Sequence, residues 1–226
     1  MATVLFLHGG GYVAEAASQH WTLVGRLVRE VPARCLVPVY PLVPGATAAT
    51  AVPVAAELLG ELVEEVSAGD VVLIGDSAGG GLALATAQHL RDAGHRQPAR
   101  IVLISPWLDV SMTHPDQPLL DRVDVLLGQD GLAEAGRLWA GERDLRDPLA
   151  SPLYGSMEGL APITLFSATR DVLYPDSARL AARARAVGVA VEHHEGPGLF
   201  HDYPLMPVPE ARRAREVIVR ACRGGH

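Results

Sequence analysis

Six short runs rich in Val, Leu and Ile, separated by amphipathic stretches, predict a doubly wound α/β fold on a mostly parallel sheet. The runs are nearly continuous in apolar residues, as expected of strands covered on both faces. The intervals carry helical spacing, and several open with a capping-type residue or Pro and close with Gly.

In chain order the expected strands are Thr3–His8, Cys35–Val39, Asp70–Gly75, Ile101–Ser105, Ile163–Ala168 and Val189–Glu195. The expected helices are Ser18–Val31, Ala48–Val66, Ala78–Ala93, Gly131–Ala140, Asp176–Val187 and Pro209–Arg220. Pro38 within its run is consistent with an edge strand, because proline has no N–H to give a ladder and is confined largely to edges and bulges. An open edge is an association risk, so homodimerisation through it is expected. The interval Pro106–Pro162 has no strand signal, carries Pro115, Pro118, Pro148 and Pro152, and is too long for a crossover. It is expected to run over the carboxyl edge of the sheet as a partial lid within a single domain, 1–226.

Composition narrows the function classes. The chain has 226 residues, 49% hydrophobic and 20% charged, which is enough for a full core and too apolar for disorder. All 19 basic residues are Arg, so a Schiff-base lysine, a Ser-Lys dyad and a P-loop are excluded. A net charge of -7 without clustered Arg and aromatics argues against nucleic acid and acidic membranes as partners. Cys35 and Cys222 are too few for a disulfide framework or a zinc site. No basic leader precedes the first apolar run, and no run reaches membrane-spanning length, so a cytoplasmic location is expected.

The chemistry concentrates at Val71–Ile74 followed by Gly75-Asp76-Ser77-Ala78-Gly79 and an apolar helix. A strand running through Gly-x-Ser-x-Gly into a helix is the nucleophile-elbow context, and glycines two positions either side of Ser77 let strand and helix approach closely. The alternative is a Gly-rich loop that binds phosphate at a helix N-terminus. His8-Gly9-Gly10-Gly11, directly after the first strand, offers free backbone N–H groups to an oxyanion, with the N–H of Ala78 completing the set.

A serine nucleophile needs a base, and the base needs an orienting carboxylate. Of nine histidines, His201 is the candidate, in a loop after the last strand that returns to the carboxyl edge. His8 is expected to brace a turn, His193 and His194 to lie in the last strand, and His20, His89, His95, His114 and His226 to be solvated. Asp171 follows the fifth strand and is the candidate acid. Asp176 reads as a helix N-cap and Asp202 as pointing elsewhere. Tyr12 and Phe200 lie nearest the motifs and are candidate substrate-binding residues, with core filling as the alternative reading of both.

At these residues the sequence resembles the hormone-sensitive-lipase family of α/β-hydrolase esterases. The matching pieces are His8–Gly11, Tyr40-Pro41-Leu42, Gly75–Gly80, Ser105-Pro106-Trp107, Asp147–Pro152, Asp171 and Gly198–His201, in the family's order along nearly the whole chain. The resemblance implies Gly10, Gly11 and Ala78 as oxyanion donors and a small-molecule acyl ester as substrate, with no metal and no organic cofactor. The ending His201–Leu205 is similar to a branch containing acetyl-hydrolases and lactone hydrolases. Family members carry two strands and cap helices before the His-Gly-Gly-Gly loop, so those elements are expected to be missing here. An uncovered site should act modestly on short acyl esters and discriminate poorly among alcohols. Amide hydrolysis, deacetylation or lactone opening on the same residues, and a catalytically weak binding module, are the alternatives.

Overall fold

The computed structural model describes residues 2–66 and 68–223. His226, expected to be solvated, lies outside them. The elements in order are β1 (Ala2–Leu7), α1 (Ser18–Glu30), β2 (Ala33–Leu36), α2 (Ala48–Glu65), β3 (Val71–Asp76) and α3 (Ser77–Asp92), then β4 (Arg100–Ile104), α4 (Gln117–Leu120) and α5 (Gln129–Ala140). The chain closes with β5 (Ile163–Ala168), α6 (Tyr174–Ala186), β6 (Val191–Gly196) and α7 (Ala211–Cys222).

The strands form one six-stranded sheet in the order β2-β1-β3-β4-β5-β6, and every neighbouring pair is parallel. Side chains alternate across a pleated strand, so a continuous apolar run feeds two cores at once. Leu5, Leu7, Leu73, Leu103 and Leu165 point to the face covered by α2, α3 and α6. Val4, Phe6, Ile74, Ile104 and Phe166 point to the opposite face, where α1 and α7 supply Leu23, Leu27, Val217 and Ile218. This two-sided burial is why the strands read as unbroken hydrophobic runs.

The strand β2 is an edge, as expected, but it ends at Leu36, so Pro38 stands just beyond the ladder. Helix α3 begins at Ser77, one residue earlier than the pattern suggested, and α7 at Ala211, two residues later than Pro209. The interval 106–162 holds α4 and α5 and no strand. Helix α4 has only four residues, too short for any periodic signal.

Candidate active site

Ser77 sits where β3 turns into α3, with φ of 50°, in the left-handed region that a non-glycine residue seldom adopts. The surrounding structure enforces this strain. The Ser77 carbonyl accepts the Trp107 N–H at 2.8 Å, and no side chain would fit at the flanking glycines. A Cβ on Gly79 would strike the Leu7 and His8 carbonyls where β1 ends, and one on Gly75 would strike the Gly79 carbonyl. Strand and helix are thus locked at backbone contact, which thrusts Ser77 toward the carboxyl edge of the sheet.

His201 Nε2 lies 2.9 Å from Ser77 Oγ, and His201 Nδ1 lies 2.8 Å from Asp171 Oδ2. The Asp171 carboxylate is held from behind, since its Oδ1 accepts the Leu173 N–H at 2.8 Å. The two loops are laced together as well. Arg170 N–H donates to the Leu199 carbonyl at 3.0 Å, and Gly198 N–H donates to Thr169 Oγ1 at 2.8 Å. Residues separated by 124 and 30 positions therefore converge because β3, β5 and β6 end at the same edge of the parallel sheet.

Ser77, His201, Gly10 and Gly11 all face one cleft of about 490 Å³. Gly10 and Gly11 have φ of 127° and 63°, conformations that glycine adopts readily. The Ala78 N–H lies in the first turn of α3, where no intrahelical acceptor exists. The opposite wall comes from residues 126–135, with Leu126, Leu127, Gly131, Leu132 and Ala135. The interval after β4 thus walls the cleft. A larger groove of about 1000 Å³ runs between β6 and α7, away from Ser77, and holds none of this chemistry.

Five expectations need correction, Asp202 last. Tyr12 does not line the cleft: it is 1% exposed, with its ring 3.7 Å from that of Trp139 and nearly parallel to it, a core stack joining the His8–Gly11 loop to α5. Phe200 is half-buried and also lies outside the cleft lining. His20 is buried rather than solvated. Its Nε2 is 3.0 Å from Asp76 Oδ2, and its Nδ1 accepts the Ala17 N–H at 2.8 Å, so the ring donates to the carboxylate beside Ser77. Asp176 lies inside the first turn of α6, not at its cap, and pairs with Arg179 at 2.8 Å. His8 sits at its turn as expected, stacked on Tyr40, whose hydroxyl donates to the His8 carbonyl at 2.6 Å.

Asp202, expected to point elsewhere, instead turns back to the base. Its Oδ2 lies 3.2 Å from His201 Nε2, the nitrogen that faces Ser77. Its backbone is left-handed, with φ of 53° and ψ of 28°, and this turns the side chain back toward the base. Burial alone would lower the affinity of His201 for its proton, but the Asp202 and Asp171 carboxylates outweigh it and push the imidazole well above its usual range. Burial raises the Asp202 carboxyl above its usual range, against the opposing pull of the His201 charge and with the help of Asp76.

The chain belongs to the family described as alpha/beta hydrolase fold, whose profile matches residues 4–205. Within that fold it is of the hormone-sensitive-lipase type. It is 36% identical over 220 residues to an acetyl-hydrolase of Streptomyces hygroscopicus, covering 95% of this chain and 73% of that protein. It is 34% identical over 204 residues to a triacylglycerol lipase of Mycobacterium tuberculosis, covering 90% of this chain but only 42% of the lipase. A hormone-sensitive lipase from a metagenome library superposes with a TM-score of 0.93 at 31% identity, over 98% of this chain and 76% of the other. These relatives are carboxylic ester hydrolases.

Proposed function

We propose that the protein is a serine carboxylesterase acting on short-chain acyl esters through an acyl-enzyme. The observation that carries this reading is the relay from Asp171 to His201 to Ser77, at 2.8 and 2.9 Å, opening on a cleft. His201 takes the Ser77 proton, the alkoxide attacks the ester carbonyl, and the oxyanion is received by the N–H groups of Gly10, Gly11 and Ala78. Asp171 keeps Nδ1 protonated and stabilises the imidazolium. Collapse returns the proton to the departing alcohol, and water then hydrolyses the acyl-enzyme through the same base.

The cleft volume and its apolar wall favour small esters, although the names of the two relatives, acetyl-hydrolase and triacylglycerol lipase, span very different acyl lengths. Hydrolysis of p-nitrophenyl acetate, butyrate, hexanoate and decanoate tests the reading. We expect kcat/KM to fall beyond butyrate. Ser77→Ala and His201→Ala should each remove about 10⁴-fold or more of kcat. A well-folded Ser77→Ala variant that keeps wild-type turnover would refute it.

A further inference from the structure

We infer that Asp202 is a positioning residue for the base, setting a carboxylate against the His201 Nε2 edge that faces Ser77 and strengthening His201 as a proton acceptor. This rests on the esterase reading of Ser77, His201 and Asp171. The contact itself is 3.2 Å, between Asp202 Oδ2 and His201 Nε2. The contact is an ion-pair approach, because the Nε2 hydrogen bond runs to Ser77 Oγ at 2.9 Å, and a carboxylate this near favours the charged imidazole over the neutral one. The other oxygen, Asp202 Oδ1, is buried without a hydrogen-bond partner among the described residues.

The backbone is built to hold it there. Asp202 N–H donates to Ser105 Oγ at 3.1 Å, and Ser105 is itself left-handed with φ of 41°. Two strained residues, one after β4 and one after β6, are pinned to each other.

The carboxylates facing the pair favour a positive charge on His201. Asp171 faces it from the turn after β5, Asp76 from the end of β3, and Glu15 from the rim after β1. His20 on α1 is already paired with Asp76. The wall of residues 126–135 and Met206 bring only Leu, Gly, Ala and Met to the cleft, and no Arg lines it. As pH rises, the proton leaves Nε2 for solvent and frees the lone pair to accept the Ser77 O–H. When Ser77 attacks, its own proton arrives on Nε2, and the imidazolium re-forms beside the Asp202 carboxylate.

Asp202→Asn is the first test, because Asn tolerates the left-handed backbone. Asp202→Gly is a second variant that also accepts this φ, should the first not fold. In both, the acid limb of kcat/KM for neutral p-nitrophenyl acetate should move lower by about one pH unit or more, and the plateau should fall several-fold, on the order of tenfold, as the base weakens. An acid limb within about 0.3 unit of wild type and a plateau within about twofold would make Asp202 a structural bystander and overturn the inference.

An NMR titration of the His201 ring in a Ser77→Ala background, with and without Asp202→Asn, reads the same coupling without any ester. The His201 transition should drop by about one unit or more, and an unmoved transition overturns the inference. Failure of the esterase reading shows separately, as turnover that survives Ser77→Ala.

Discussion

Asp176 and Arg179 show how single buried residues make stability depend on pH. Asp176 is fully buried on α6, accepts the Gln117 amide at 3.3 Å, and pairs with Arg179, which also approaches Asp109 at 3.8 Å. Burial, reinforced by Asp109, raises its carboxyl from 3.8 to about 6. An acid whose folded pKa is raised binds its proton more tightly in the folded state. Stability therefore falls as pH rises from about 4 to about 6 and levels off above. The Asp176→Asn variant has no such titration. Between pH 4 and 7 the wild type should lose about 2–3 kcal/mol relative to it, measurable by urea unfolding across that range. His20 makes a different prediction. In His20→Leu the buried Asp76 carboxylate loses the partner of its Oδ2, and its Oδ1 has none to begin with, so unfolding should become easier by about 3 kcal/mol, with activity falling because Asp76 adjoins Ser77.

What single residues could tell in advance depended on where their partners lie. Ser77 was legible because its strand, turn and helix are contiguous, and Asp171 and His201 because each follows a strand that ends at the same edge. The His20–Asp76 pair was not, since its members are 56 positions apart and His20 sits in a helix of ordinary amphipathic pattern. Asp202 looked turned away because an extended chain puts neighbours on opposite sides. Its left-handed backbone reverses that, and nothing in the local sequence announces it.

At the scale of elements, α5 and the strand-to-helix elbow make opposite demands on glycine. Gly131 lies in the first turn of α5, lines the cleft, and would meet nothing within 4 Å if it carried a Cβ. Gly131→Leu should thus raise helix stability by up to about 1 kcal/mol while filling the cleft. Its kcat/KM should drop by about tenfold more for hexanoate than for acetate, a comparison that a competitive assay reads directly. Gly79 is the reverse case, pressed against the Leu7 and His8 carbonyls. Gly79→Ala should cost more than about 3 kcal/mol in thermal or urea unfolding, because neither backbone can retreat. Element identity followed well from apolar runs, whereas α4 did not, since four residues carry no period.

Across the whole molecule, charge sets what enters the site. The chain carries a net charge of -7, and the cleft is lined by Glu15, Asp76 and Asp202 without an Arg. Anionic esters are therefore repelled. The p-nitrophenyl half-ester of succinate should be cleaved at least about tenfold more slowly than p-nitrophenyl butyrate at low salt, with the gap narrowing as salt is added. The six-stranded sheet was legible as a class, because strands buried on both faces leave unbroken hydrophobic runs. The aromatic stack of Tyr12 on Trp139 was not, since it depends on how residues 106–162 fold back over the edge.

The central claim is that Ser77 is the nucleophile, activated by His201. Its most direct test is reaction of the protein with diethyl p-nitrophenyl phosphate, followed by peptide mass spectrometry. One diethylphosphoryl group per chain, on the peptide containing Ser77 and absent from His201→Ala after the same exposure, is the predicted result. A well-folded protein that remains unlabelled, or is labelled on another residue, would contradict the account.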